Sequence, residues 1–251
     1  MKHPALWRSG IAAGLVLGLE LLCRTGVINA FTMIPPSKML VALADMTRHA
    51  DWFWGDAFYT FQNVVAAIAL SIVPGFLIGL GMHALPRLRR VLNPVLLSYY
   101  SVPTFVFYPL LIVIFGIGQM SLTIMGAMFG VVAMISSTLT AIDRIPRVYG
   151  KVARVMGINR WRKALRITLP AATPHLFTGV KLAVAYSVIG VIAGEFILAT
   201  AGLGRRLALS FNEFDNATMY GLILLIFIVV AIINGVLQRW EARIYRRWYR
   251  T

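Results

Sequence analysis

Few side chains in this sequence stand at spacings that support catalysis. Gly150-Lys151 is followed by Val152, so the chain lacks the glycine-rich phosphate loop that ends in Gly-Lys-Ser or Gly-Lys-Thr. Two acids inside apolar stretches, Glu20 and Glu195, are too far apart in sequence to indicate a catalytic carboxylate pair. The histidines are scattered without metal-binding spacing; they are His3, His49, His83 and His175. We therefore expect no ATP hydrolysis by this chain alone, no metal site and no enzymatic activity.

Polar side chains inside an apolar stretch could instead line a solute pathway. They cluster at Tyr99, Tyr100, Ser101, Pro103 and Thr104. Pro103 lacks a backbone N–H, so we expect a helix kink that frees carbonyl oxygens. The hydroxyl groups could equally form hydrogen bonds between neighbouring helices. Glu195 is a further candidate because an ionisable group inside a membrane is costly; it could be a gate, a subunit contact or a hydrogen-bonded folding residue.

The composition places these residues in a membrane. Of 251 residues, 59% are hydrophobic and 13% are charged, and the mean hydropathy is +0.77. Soluble domains carry about 25% charged residues, so the composition argues strongly against a soluble globular chain. The high apolar content excludes a disordered chain, which would be poor in apolar residues. Six apolar segments are each long enough to cross the membrane, for which about 20 helical residues suffice; they span 5–23, 58–85, 92–115, 120–142, 178–199 and 218–238. For the first segment we favour a retained helix over a cleaved signal peptide.

The net charge of +15 predicts an orientation. With six spans and a cytoplasmic N-terminus, 19 of the 24 basic residues lie on the cytoplasmic side. Nine of these are in the stretch from Arg144 to Lys181. Because basic residues favour cytoplasmic loops, both termini are expected in the cytoplasm. The charge is therefore a topology signal, and we expect contact with membrane lipids but none with nucleic acid.

The predicted outer loop 34–57 contains one short amphipathic helix. Ser37 is expected to cap a helix that runs to about Arg48. Its apolar side carries Met39, Leu40, Leu43 and Met46, which suggests that it lies on the outer membrane interface. For Glu20 we favour an interfacial position or a hydrogen bond between helices.

The cytoplasmic loop 143–177 is too long to be a simple connector. Its first part predicts a helix with one apolar face, formed by Val148, Val152, Val155 and Met156. Gly157 can adopt the left-handed conformation that ends this helix. Asn159 is expected to cap a second helix, which Pro170 stops, and Pro174 then precedes the fifth span. Periodicity alone leaves two options open: the apolar face lies on the inner leaflet, or it docks into a groove of a soluble partner.

Several motifs in and around this loop resemble the permease subunits of ABC importers. The string Lys151-Val152-Ala153-Arg154-Val155-Met156-Gly157, followed after nine residues by Ile167-Thr168-Leu169-Pro170, is similar to the EAA loop of that family, which reads Glu-Ala-Ala, three residues, Gly, nine residues, Ile-x-Leu-Pro. Flanking strings also match: Ile34-Pro35-Pro36-Ser37, Phe115-Gly116-Ile117-Gly118, Ala193-Gly194-Glu195-Phe196 and Gly202-Leu203-Gly204. Together they cover about residues 34–248 and most resemble the nitrate, sulfonate and taurine branch.

The resemblance implies an all-α integral membrane protein with the type I ABC importer (MetI-like) permease fold. It also implies two permease copies, as a homodimer or heterodimer, with two ABC ATPase subunits that bind ATP and Mg. A periplasmic or lipid-anchored solute-binding protein would deliver a small solute at the bacterial inner membrane, and this branch favours an anion such as nitrate, a sulfonate, taurine or a related organic acid. The family's coupling role would fall on Lys151, Val152, Ala153, Val155, Met156, Gly157, Ile167, Leu169 and Pro170. It also favours the pathway role for residues 99–104.

One residue departs from the family pattern. Lys151 stands where the family has Glu, and Val152 stands at its first Ala. The partner ATPase could carry a compensating acid, Lys151 could point to lipid headgroups, or the chain could be a poorly coupled paralogue. We favour the first explanation, because an unpaired interfacial charge is costly.

The chain divides into four regions on this interpretation. They are an N-terminal helix with the start of the outer loop (1–33), the outer loop (34–57), the transmembrane core with its coupling loop (58–240) and a basic tail (241–251). The alternative function is a self-sufficient, ion-coupled secondary transporter, which would predict internal repeats and more membrane acids than this sequence has.

Overall fold

The computed structural model describes residues 4–29 and 31–248, and this part of the chain is helical with no strand. Its α-helices are α1 (Pro4–Arg24), α2 (Pro36–His49), α3 (Asp51–Ala84), α4 (Pro86–Ser101), α5 (Tyr108–Phe115), α6 (Gln119–Asp143), α7 (Arg147–Val155), α8 (Arg160–Lys163), α9 (Leu169–Leu198), α10 (Leu203–Asn212) and α11 (Asn216–Trp248). A 3₁₀ turn covers Thr104–Phe107 and a π-helical turn covers Ala164–Thr168. The predicted all-α class is confirmed.

Four helices of the described chain are long and apolar enough to cross a membrane, and a bent pair provides a fifth span. The four correspond to the predicted segments 58–85, 120–142, 178–199 and 218–238, and three of them extend well beyond the predicted bounds. Segment 5–23 forms α1, which is not among the five, so its crossing and the cytoplasmic termini remain predictions. Outward-facing Phe58, Phe61 and Phe227 are each at least 60% exposed, as expected for a surface in contact with lipid. The chain is a multi-pass membrane protein.

The segment 92–115 breaks rather than kinks. Helix α4 ends at Ser101, and the helical piece from Thr104 to Phe115 leaves at an angle of 95°. Pro103 lies at the break, where its missing N–H interrupts the helical hydrogen bonds. The prediction of a distortion at Pro103 is therefore confirmed, and the distortion is larger than expected.

The centre of the fold is the packing of α3, α6 and α9. Gly126 and Gly130, one turn apart on α6, allow α9 to come close: a methyl group added at Gly130 would lie 2.8 Å from the carbonyl oxygen of Ala183. Small residues at this spacing let membrane helices approach backbone to backbone. Ser187 of α9 then donates a hydrogen bond to Ser71 of α3 over 3.0 Å, with both side chains fully buried.

Two predictions about the prolines of the loop 143–177 are wrong. The second loop helix does not stop at Pro170, because α8 continues through the π-helical turn into α9. Pro170 occupies the first turn of α9, where proline is well tolerated. Pro174 lies inside α9 instead of before the span. A π-turn shifts the hydrogen-bond register by one residue, and neighbouring helices can compensate for a proline in a membrane helix.

The outer helix α2 begins in a different way from the prediction. The N-cap residue of α2 is Pro35, whose side chain makes no capping hydrogen bond. Ser37 lies within the first turn of the helix. Glu20 of α1 takes the capping role: its carboxylate accepts hydrogen bonds from the Ser37 N–H (3.0 Å) and hydroxyl (2.7 Å). The expected hydrogen bond of Glu20 between helices is thus confirmed. Met39 and Met46 are buried against the bundle whereas Leu40 is 56% exposed, so the apolar face of α2 excludes Leu40.

Candidate functional site

The predicted coupling segment forms a short helix with a defined end. Helix α7 covers Arg147–Val155, and Gly157 has the expected left-handed conformation, with a φ of +63°. The N–H of Ile158 donates to the carbonyl of Ala153 (2.9 Å), and the N–H of Gly157 donates to that of Arg154 (3.1 Å). This pair of bonds is the Schellman motif, which ends a helix when the residue after it is left-handed. The expected left-handed end of the helix at Gly157 is confirmed.

The apolar face of α7 is uncovered in the single chain. Val155 is 88% exposed and Met156 69%, and Val148 and Val152 are also exposed. We call these four residues the coupling ridge. On the other side of the helix, Ala153 is fully buried, so this side of α7 faces the rest of the chain. Four large apolar side chains in one exposed row need a cover, which either a membrane surface or a partner groove can supply.

The remaining residues of the EAA-like pattern connect the coupling ridge to the core. Ile167 lies in the π-helical turn, and Leu169 and Pro170 form the first turn of α9. Leu169 packs against a buried cluster that includes Met134 and Ala141 of α6. Lys151 is exposed on α7 and makes no ion pair within the described residues. Coupling roles for these residues stay predictions.

The break between α4 and α5 borders a cavity of about 290 Å³. Tyr99, Pro103 and Thr104 line it, and the Tyr99 hydroxyl donates a hydrogen bond to the Met128 carbonyl over 2.9 Å. Ser101 is exposed but is not part of the lining. The side chain of Tyr100 lies outside the described residues. Three of the five predicted pathway residues in this region therefore meet at one cavity.

Glu195 is fully buried at the other end of α9, next to the start of α10. Its Oε2 accepts hydrogen bonds from the Thr60 hydroxyl (2.8 Å) and from the Gly204 N–H (3.0 Å). Thr60 in turn accepts a bond from the Leu203 N–H (2.9 Å), and Asp56 accepts one from the Gly202 N–H (2.9 Å). Three consecutive N–H groups at the start of α10 thus have side-chain acceptors. We call Asp56, Thr60 and Glu195 the α10 cap.

The α10 cap is closely packed. A methyl group added at Gly202 would lie 2.5 Å from Cδ of Glu195, and one at Gly204 would lie 2.6 Å from its Cβ. Gly202 also has a φ of +108°, which disfavours any side chain. On the outer edge, Arg206 bonds the second Asp56 oxygen over 3.0 Å and stacks on Trp52 at 4.4 Å. Glu195 therefore acts as a buried helix cap in this structure and does not line the cavity at the break.

Sequence reasoning identified Glu195 but missed its partners. Asp56 and Thr60 are four residues apart, a spacing that places both on one face of α3. This spacing, together with the Gly202-Leu203-Gly204 turn, was the sequence signal that could have identified Asp56 and Thr60 as partners of Glu195. Among the described residues, no three His, Cys, Asp or Glu side chains gather in a way that would hold a metal ion.

Comparison with known proteins identifies the family. Residues 71–250, more than half of the chain, match the model of the binding-protein-dependent transport system inner membrane component. The chain belongs to this family. The matched region includes the coupling segment, the cavity at the break and Glu195, so all three lie in the part that family members share.

Curated relatives are named as transport permeases. The riboflavin transport system permease protein RibX of Chloroflexus aurantiacus is 31% identical over 162 residues, which cover 62% of this chain and 60% of RibX. The taurine transport system permease protein TauC of Escherichia coli is 28% identical, over 71% of this chain and 66% of TauC. The nitrate import permease protein NrtB of Synechococcus elongatus is 27% identical, over 74% and 67%. The chain thus spans less than two thirds of RibX and of TauC.

Solved structures support the fold. A chain of the methionine ABC transporter MetNI in an inward-facing conformation aligns with a TM-score of 0.69 at 19% identity, over 77% of this chain and 96% of that one. A chain of an amino acid ABC transporter with histidines aligns with a TM-score of 0.62 at 15% identity, over 80% and 98%. The predicted type I ABC importer permease fold is confirmed.

Proposed function

We propose that this chain is the membrane-spanning permease subunit of an ATP-driven importer for a small solute. In this proposal two permease copies enclose the pathway, two ATPase subunits bind ATP and Mg, and a solute-binding protein delivers the solute from outside. The complex resides in a bacterial inner membrane. Names of relatives such as TauC and NrtB support a small anion, for example a sulfonate or nitrate, as the solute class.

The coupling ridge is the observation that carries this proposal. A row of four exposed apolar side chains ends at a Schellman turn, and residues 157–159 link it to the helical stretch that continues through α8 into α9. Helices with one exposed apolar face bind in grooves of partner proteins. A shift of α7 would be passed to α9 through the continuous helical stretch from Arg160, and α9 packs along α3 and α6. The geometry therefore suits a helix that transmits motion from an ATPase to the membrane core.

A self-sufficient secondary transporter is not favoured. Such a protein would have no need of a coupling ridge, and the best-buried membrane acid, Glu195, is engaged in the α10 cap. The family description also names a component of a binding-protein-dependent system.

Reconstitution tests the proposal directly. The chain would be co-expressed with the ATPase and the binding protein encoded next to it, and the complex would be placed in liposomes. Loaded binding protein is expected to stimulate ATP hydrolysis and solute uptake, and both should stop when ATP is omitted. Uptake driven by an ion gradient without the ATPase would contradict the proposal and support a secondary transporter.

A further inference from the structure

Three cavities adjoin one another along the face where α6 and α9 meet. The cavity at the α4–α5 break shares Tyr186 with a second cavity, of about 260 Å³. The second shares Arg144 and His175 with a third, of about 280 Å³, which also touches Tyr149 of α7. Because neighbouring cavities share lining residues, they lie side by side in one row from Thr104 to Tyr149. We call this row of cavities the polar groove.

Hydroxyl groups line the middle of the polar groove. They belong to Ser136, Ser137, Thr140, Thr178 and Tyr186. The Thr140 hydroxyl donates to the Ser136 carbonyl within α6. Among the described residues, the hydroxyls of Ser137 and Tyr186 have no hydrogen-bond partner in the protein. These free hydroxyls can donate to a passing solute.

The end of the polar groove next to α7 carries basic side chains. Arg144, the residue after the last turn of α6, is exposed, and His175 of α9 is half-buried. Among the residues that the structure describes, neither Asp nor Glu lines any of the three cavities. Arg144 has no ion-pair partner within the described residues. A fixed positive charge without a counter-charge attracts anions into a cleft and repels cations.

Two acids that come near the polar groove, Asp143 and Glu241, are already paired with other bases. Asp143 forms two hydrogen bonds with Arg89, of 2.9 and 2.6 Å, and lies 3.7 Å from His83. Glu241 of α11 approaches the groove lining at Thr178 (3.5 Å), but Lys181 holds it at 2.6 Å. Neither acid is therefore free to neutralise Arg144.

We infer that the polar groove is the inner part of the solute pathway, that it favours an anionic solute, and that Arg144 and His175 are the basic side chains the solute meets at the end of the groove next to α7. This inference rests on the proposed permease function and specifies the charge of the solute and its route. It also adds Arg144 and His175 to the candidate pathway residues, which sequence patterns alone do not indicate. The groove ends at Tyr149, so the release point lies beside the helix that would carry the ATPase.

Charged thiol reagents can test the polarity of the groove without any transport. Cys23 is the single cysteine, so Cys23→Ser with Thr140→Cys places one thiol in the groove, one helical turn from Arg144. The full chain in nanodiscs would be treated with anionic sulfonatoethyl and cationic trimethylammonioethyl methanethiosulfonate, and both rate constants measured. Because the thiol at position 140 lies one helical turn from Arg144, removing that positive charge with Arg144→Gln should lower the ratio of the anionic to the cationic reaction rate about threefold or more.

Two further variants provide the controls. Arg166→Gln removes an equal, exposed charge from outside the groove lining and should leave the ratio within about twofold. Arg144→Lys restores a positive charge and should restore the ratio, which separates charge from misfolding. A ratio that is unchanged by Arg144→Gln, or that changes equally with Arg166→Gln, would overturn the inference.

Uptake by the reconstituted importer tests the solute class. The probes are labelled nitrate and ethanesulfonate as anions, choline as a cation and riboflavin as a larger neutral solute. We expect ATP-dependent uptake of an anion, reduced several-fold by Arg144→Gln and restored by Arg144→Lys. Uptake of choline or riboflavin alone would refute the anionic route and leave the importer function standing. If no probe is taken up and ATP hydrolysis is not stimulated, the importer function fails, while the thiol rates still decide the polarity of the groove.

Discussion

The α10 cap should contribute measurably to the stability of the fold. In Thr60→Val the side chain keeps its shape but loses both hydrogen bonds, one to Glu195 (2.8 Å) and one from the Leu203 N–H (2.9 Å). Thr60 is buried, so the Leu203 N–H would be left without an acceptor. An orphaned buried group costs about 1–3 kcal/mol, and a lost hydrogen bond to a carboxyl group costs a similar amount. We expect the free energy of unfolding to fall by about 2–4 kcal/mol.

Thr138→Val is the matched control for this prediction. Thr138 is fully buried in α6, and its hydroxyl bonds the Met134 carbonyl of the same helix (2.8 Å). Loss of this hydroxyl leaves no N–H group without an acceptor, so we expect the free energy of unfolding to fall by less than about 1 kcal/mol. Reversible unfolding by sodium dodecyl sulfate in mixed micelles, followed by circular dichroism, measures both. Equal losses in the two variants would refute the capping role, and Thr60→Ser should recover most of the stability.

Three further predictions concern the coupling segment, and all are read out on the reconstituted complex. Val155→Asp places a charge on the coupling ridge and should weaken ATPase binding about tenfold or more, because a charge is costly to bury; unchanged binding in a titration would exclude docking through the ridge. Lys151→Glu should also weaken assembly and ATP turnover if the ATPase carries an opposing acid, and normal values for both would disprove that pairing. Gly157→Val forces a branched side chain into a left-handed conformation, at a cost of roughly 1–2 kcal/mol; we expect reduced solute-stimulated ATP hydrolysis, and wild-type stimulation would contradict the need for this turn.

Sequence patterns correctly predicted those helices and helix ends that depend on residues close together in the chain. The apolar face of α7 and its end at Gly157 depend on neighbouring residues, and so does the break at Pro103. The bounds of α6 agree with the predicted segment 120–142 to within one residue, because polar and turn-forming residues flank it on both sides. Helix bounds were less accurate where a membrane helix tolerates a proline, as at Pro174 in α9.

The contacts that build the sites could not be predicted, because they join distant parts of the chain. Asp56 and Gly202 are 146 positions apart, and hydrogen-bond only because α3 packs beside the start of α10. The polar groove likewise combines Arg144, which follows α6, with His175 and Tyr186 of α9. No periodicity within one helix reveals which faces of two helices will meet.

The packing at the α10 cap also restricts how this protein can diverge. The carboxyl group of Glu195 fills the space that a Cβ would need at Gly202, whereas at Gly204 that space is taken by Cβ of Glu195 and by the backbone carbonyl oxygen of Ile192, each at 2.6 Å. A side chain at position 202 must therefore displace the Glu195 carboxyl group, and a shorter acid at position 195 would withdraw from the Gly204 N–H. Substitutions at positions 195 and 202 are therefore expected to occur together, so that homologues with a side chain at position 202 should also have lost the glutamate at position 195.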